Sequence, residues 1–168
     1  SRARSCPWSD KRGRCLSEFG KIDILVNNVG GMGPAQMKRV LEMDEATWDE
    51  VISLTLKSVF LCCQAVAKVM MKQGKGSIIN VSSAAATKPV PGRVVYSAAK
   101  AGVTNLTQGL AVEWGRYNIR VNAIHPGHIE TPLVKLLYSI LPKDDPNQRL
   151  EFTPLRRHGK PEDFIGLA

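Results

Sequence analysis

Residues 22–30 read Ile22-Asp23-Ile24-Leu25-Val26-Asn27-Asn28-Val29-Gly30. The first five are short, rich in β-branched side chains and nearly all apolar, which predicts a strand buried on both faces of a parallel sheet. Asn27 to Pro34 then break the run with loop chemistry. Downstream, Trp48, Ile52, Leu56, Val59, Cys63, Val66 and Met70 recur at helical spacing, so a helix is expected from 44 to about 72, closed by Gln73-Gly74-Lys75-Gly76. A second strand follows at 77–81. A loop with Pro89, Pro91 and Gly92 leads to a second long helix at 94–117, and a third strand at 119–124 runs into His125-Pro126-Gly127. Short helical stretches are expected near 147–152 and after Pro161. Alternation of strand and helix is the pattern of α/β architecture: a Rossmann-like, three-layer parallel sheet with flanking helices.

Composition fits that class. The chain has 168 residues, 43% hydrophobic and 23% charged, with no repeats and no internal linker. No apolar run approaches the ~20 residues of a membrane span, and the first residues lack the apolar core of a secretory signal. Half of the net charge of +8 sits in residues 1–14, where Arg2, Arg4, Lys11, Arg12 and Arg14 face only Asp10. That segment has no period and reads as a basic, unstructured leader, leaving one domain at 15–168. Its charge could touch nucleic acid through phosphate contacts, but no aromatic stacking platform accompanies it, and a solvated tail is the favoured reading. Four cysteines are too few for a disulfide scaffold. Cys62 and Cys63 fall in the apolar helix as core thiols, which points to a reducing, cytoplasmic setting.

In a parallel sheet, loops at the carboxyl ends of strands gather on one edge, where ligands bind. Here those are residues 27–33, 82–88 and 125–131. On that edge, Tyr96-Ser97-Ala98-Ala99-Lys100 places a phenol and an ammonium four residues apart, on one helix face. A nearby cation favours the phenolate, so Lys100 is expected to draw Tyr96 down towards the range where it exchanges protons with a hydroxyl or carbonyl oxygen. The Ser83 hydroxyl could hold that oxygen. His125 and His128 have a spacing that would suit a metal on a helix, but Pro126-Gly127 makes the segment a loop with no third ligand nearby, so no metal site is expected.

Asn27-Asn28-Val29-Gly30 after a strand, Ser83, Tyr96 with Lys100, and Arg120-Val121-Asn122-Ala123-Ile124-His125-Pro126-Gly127, in that order, resemble the short-chain dehydrogenase/reductase family over residues 16–168, most closely at 76–131. The resemblance implies an oxidoreductase that moves a hydride between NAD or NADP and a carbonyl or secondary alcohol. It assigns Tyr96 as general acid or base, Lys100 to the phenol and the cofactor ribose, and Ser83 to the substrate oxygen. Asn27 and Gly30 would lie along the adenosine side of the cofactor. Pro126, Gly127 and Ile129 would flank the nicotinamide, with Thr131 at its carboxamide or phosphate. The resemblance also implies a small-molecule substrate and a homo-oligomer formed through the two long helices.

Three departures from the pattern set expectations of their own. None of the fourteen glycines completes Gly-x-x-x-Gly-x-Gly or Gly-x-Gly-x-x-Gly, the turn that receives the pyrophosphate. Thr55 stands where the family usually carries a catalytic asparagine, and Val29 where alanine is usual. A fragment, incomplete at both ends, is therefore expected, and the competing reading is a catalytically silent product that only associates with other chains. The segment that reads the cofactor 2′-position is absent from these residues, so NAD and NADP stay undivided.

Overall fold

The computed structural model describes residues 7–33, 36–132, 134–136, 150–151 and 153–166. The chain divides into two compact units, Ser1–His125 and Pro126–Ala168. The first holds α1 (Pro7–Phe19), β1 (Ile24–Asn27), α2 (Glu45–Ile52), α3 (Ser58–Gln73), β2 (Gly76–Val81), α4 (Val94–Trp114) and β3 (Ile119–Ile124).

The three strands are parallel in the order β1-β2-β3, with Asn27 opposite Asn80 and Ile79 opposite Asn122. Because the order steps the same way twice, right-handed crossovers put both connecting helices on one face. The side chains agree. Asn80, pointing to that face, reaches Thr107 of α4, and Asn27 reaches Cys63 of α3. Between sheet and helices lies the core, built from Val59, Cys63, Val66 and Met70 of α3, Ile78 and Val121 of the sheet, and Val103 and Trp114 of α4.

β1 differs from its expectation. Ile24 and Val26 are 63% and 51% exposed, while Leu25 packs against the core and Asn27 is buried. An edge strand has one neighbour, and with α3 on one face only the period-two alternation decides which side chains are covered. A continuous apolar run cannot reveal that.

The expected unstructured leader is also corrected from residue 7 onward, since Pro7–Phe19 is helical. Its order comes from tertiary contact: the Arg12 guanidinium donates to the Ala65 carbonyl at 3.2 Å, and Cys15 and Leu16 pack on the core. A basic, weakly periodic segment carries little local signal of such docking. Residues 1–6 lie outside the described residues.

The long helix after β1 begins where expected, with the Asp44 carboxylate accepting from Thr47 N–H at 2.8 Å, and closes at Gly74 in left-handed backbone. It is not continuous. Ser53–Lys57 form a π-helical turn between α2 and α3. By length and composition Glu45–Gln73 could cross a membrane, but Val51, Thr55, Val59, Cys63, Val66 and Met70 are buried within the protein. Among the described residues, Cys15, Cys62 and Cys63 form no disulfide.

In the second unit, Ile129 bridges Gly159 in parallel fashion, and Arg157 pairs with Asp163 at 2.7 Å. The Asp163 carboxyl is held near 2, chiefly by that guanidinium. After Pro161 a 3₁₀ turn, Pro161–Phe164, replaces the expected helix. Most of the stretch expected to be helical near 147–152 lies outside the described residues.

Candidate active site

The carboxyl ends of β1 and β2 deliver the loops at 27–33 and 82–88 to one edge, beside the start of α4. Tyr96 and Lys100 lie on one face of α4, with Lys100 Nζ 5.7 Å from the Tyr96 ring centre. The lysine is almost fully buried, and its ammonium donates to the Val81 carbonyl at 2.6 Å. Burial pulls it down to about 8. Ser82 ties this turn of α4 to the sheet, its hydroxyl donating to the Lys100 carbonyl at 2.9 Å and its N–H to Ile124 O.

Ser83 caps the 3₁₀ turn Ala84–Ala86, its hydroxyl accepting from Ala85 N–H at 3.1 Å. Ser83 and Arg93 both act on the Tyr96 phenol. The phenol itself sits above its ordinary value, first because it is half-buried. Hydrogen bonding by Ser83 and the positive charge of Arg93 pull it the other way without overcoming the burial. The Lys100 ammonium donates to Val81 O, and for the phenol burial outweighs the groups that favour the phenolate.

Thr55 lies at the centre of the π turn, fully buried. Its hydroxyl accepts from Gly31 N–H at 3.4 Å. Gly30 has φ +137°, and a Cβ there would stand 3.2 Å from both Lys100 Nζ and Thr55 Cγ2. The glycine therefore allows the loop after β1 to close onto the lysine, where any larger residue would push it away.

Asn27 does not join that loop surface. It is 4% exposed and donates to Asn80 Oδ1 at 2.8 Å and to Cys63 Sγ at 3.3 Å. The amide expected to line a cofactor is turned into the core, because the strand's alternation puts it on the same face as Leu25 and opposite Val26, beneath α3. Cys63, buried beside it, is pushed up to about 12 by desolvation and is an inert thiol. Pro126, Gly127, Ile129 and Thr131 belong to the second unit, where the Thr131 hydroxyl accepts from Val134 N–H at 3.3 Å.

The family profile described as short chain dehydrogenase matches residues 9–139. The chain belongs to the short chain dehydrogenase family. The match begins at residue 9, so part of the stretch read as an unstructured leader falls within it. As a short chain dehydrogenase the chain is 43% identical over 150 residues to 3-oxoacyl-[acyl-carrier-protein] reductase FabG of Thermotoga maritima, covering 89% of this chain and 58% of that protein. It is 34% identical to gluconate 5-dehydrogenase of Gluconobacter oxydans, covering 90% and 57%. Among solved structures, levodione reductase superposes with a TM-score of 0.87 at 33% identity, over 95% of this chain and 63% of the other. A gluconate 5-dehydrogenase from Burkholderia cenocepacia, crystallised with NADP and tartrate, gives 0.84 at 31% identity, over 95% and 61%. This short chain dehydrogenase sequence thus spans less than two thirds of each of these relatives.

Some groups at the site had no sequence signal. The Val81 carbonyl that holds Lys100 is backbone, and Ser82 looks in sequence like a duplicate of Ser83.

Proposed function

We infer that this chain carries the proton-transfer machinery of an NAD(P)-dependent oxidoreductase acting on a carbonyl or secondary alcohol. The observation that carries this reading is the grouping of Tyr96, Ser83 and Lys100 at one sheet edge, with Lys100 Nζ 5.7 Å from the Tyr96 ring centre. In reduction, Tyr96 Oη gives its proton to the substrate oxygen as the carbonyl becomes an alkoxide; in oxidation it takes that proton back. The Ser83 hydroxyl orients the same oxygen. Lys100, packed below, stabilises the phenolate as it forms. The glycine cradle at Gly30 beside Lys100 Nζ fits the close approach of a ribose hydroxyl, so Lys100 and Tyr96 are the residues that would hold the cofactor. When bound, NAD(P)H supplies the hydride. The substrates in the relatives' names, 3-oxoacyl thioesters, gluconate and levodione, share a carbonyl or secondary alcohol and define the first panel to assay. The exposed Trp48, Leu54, Phe60 and Val112 of the long helices support association between copies.

A second reading is favoured by one observation: Thr55 stands where the family usually carries a catalytic asparagine. On that reading the chain is catalytically silent and acts only by association with other chains. Fluorescence titration with NADH and NADPH, followed by turnover of the substrate panel, separates the two. Low-micromolar binding and turnover that Tyr96→Phe abolishes support the oxidoreductase. Absent binding and turnover support the silent chain.

A further inference from the structure

We propose that the ion pair of Arg157 and Asp163 is a positioning device for the nicotinamide, holding Gly159 against Ile129 so that this side chain keeps its place beside the pyridine ring. The proposal rests on the oxidoreductase reading above and on the assignment of Ile129 to the nicotinamide that the family pattern implies. It adds the residues that set where Ile129 stands.

All of the supporting geometry lies within the second unit. The Arg157 guanidinium forks onto the Asp163 carboxylate, Nη1 donating to Oδ2 at 2.7 Å and Nη2 to Oδ1 at 3.1 Å. Lys160 N–H donates to the same Oδ2 at 2.8 Å, and Arg157 Nη1 also donates to His158 O at 3.1 Å. Residues 157–160 are thereby closed into a loop by Asp163. Gly159 sits inside that loop and makes two bonds outward. Its N–H donates to His128 O at 2.8 Å, and its carbonyl accepts from Glu130 N–H at 2.9 Å. These two bonds bracket Ile129, the residue bridged to Gly159.

The Arg157 and Asp163 side chains are 51% and 39% exposed, and exposed pairs add little to stability. What a paired fork does supply is a fixed orientation. The glycine points the same way. Its backbone is not left-handed, so conformation does not require glycine there. A Cβ would instead stand 2.5 Å from Ile129 Cδ1 and 3.7 Å from Asp163 Oδ2. A methyl group at this position would therefore displace the Ile129 side chain while leaving the ion pair in ordinary contact. Reactivity depends steeply on how the reacting groups are aligned. A device that fixes the flank of the ring thus shows in where the ring sits more than in how tightly the cofactor is held.

The test uses the full chain with isoleucine δ1 methyl groups labelled with ¹³C and the Ile129 signal assigned with Ile129→Val. The probes are NADH and NADPH, with ADP-ribose and its 2′-phosphate, which lack the pyridine ring, as controls. In wild type the dinucleotides are expected to shift the Ile129 methyl and the controls are not. Asp163→Asn and Arg157→Gln should lose most of that shift, with the Kd from nicotinamide fluorescence changing less than about twofold and thermal unfolding unchanged. Asp163→Glu should restore part of it. Gly159→Ala should move the Ile129 signal in the free chain and weaken its response with the ion pair intact. A shift retained in Asp163→Asn, a loss matched by equal weakening of all binding or by unfolding, or a bound dinucleotide that leaves wild-type Ile129 unmoved overturns the proposal. That last result leaves the Tyr96 reading standing, whereas absence of dinucleotide binding removes both.

Discussion

Asn27 and Asn80 face each other across β1 and β2, and the Asn27 amide donates to the Asn80 carbonyl oxygen at 2.8 Å in the buried layer under α3 and α4. Asn80 passes the chain on to Thr107 at 2.9 Å, and Thr107 donates to Val103 O. This ladder pins the point where β1 ends and the loop that meets Lys100 begins. Asn27→Ala and Asn80→Ala should each destabilise by ~1–3 kcal/mol, the cost of stranding the buried partner. The double variant should lose clearly less than the sum, since both disrupt one network. Denaturant unfolding measures this, and strictly additive losses would show that the two amides do not act as a unit.

Gly30 and Gly109 should respond oppositely to alanine. At Gly30 a Cβ meets Lys100 Nζ and Thr55 Cγ2 at 3.2 Å and the backbone sits at φ +137°, so a loss on the order of 1–3 kcal/mol is expected. At Gly109, inside α4, a Cβ meets nothing within 4 Å, so alanine should stabilise by up to about 1 kcal/mol. Thermal melts of the two variants decide it, with a neutral Gly30→Ala as the adverse result.

Lys100 gives stability a readable pH dependence. Its value in the folded chain, about 8, lies below the 10.5 of an unperturbed lysine. Between those values the unfolded chain binds the extra proton, so stability due to this residue rises with pH across that window. Comparison with Lys100→Met isolates the effect: wild type should gain on the variant as pH climbs from about 8 to about 10.5. A constant difference over that range would mean that the ammonium is not desolvated.

On the proposed reading, the Tyr96 phenol serves as the acid in reduction near neutrality. Its phenol is held above the ordinary tyrosine value, so the acid form needed to protonate a carbonyl oxygen is present throughout the neutral range. Reduction should be nearly flat from about pH 6 to 8, while alcohol oxidation, which needs the phenolate, should climb with pH. Profiles of kcat/KM in both directions test this. Reduction that already declines across that interval would place the working pKa lower than the geometry implies.

Much of this molecule was legible as text. Strands at Ile24–Asn27, Gly76–Val81 and Ile119–Ile124 and the α4 helix fell within a few residues of their expected limits, because apolar periodicity and Gly or Asn stops are local properties. The pairing of Tyr96 with Lys100 followed from helical spacing alone. The π turn at Thr55 did not, since a one-residue change in helical hydrogen bonding leaves no periodic trace.

What the sequence settled without coordinates was the order of strands and helices, the family, and which side chains share a helix face, all consequences of spacing along the chain. Tertiary structure alone decided that Asn27 serves the core, that the Lys100 ammonium rests on Val81 O, that residues 7–19 dock as a helix, and that burial of the phenol outweighs the groups that favour the phenolate. Each of those depends on which groups lose water and which partner lies across space, and desolvation is a property of the packed interior that adjacent letters do not encode.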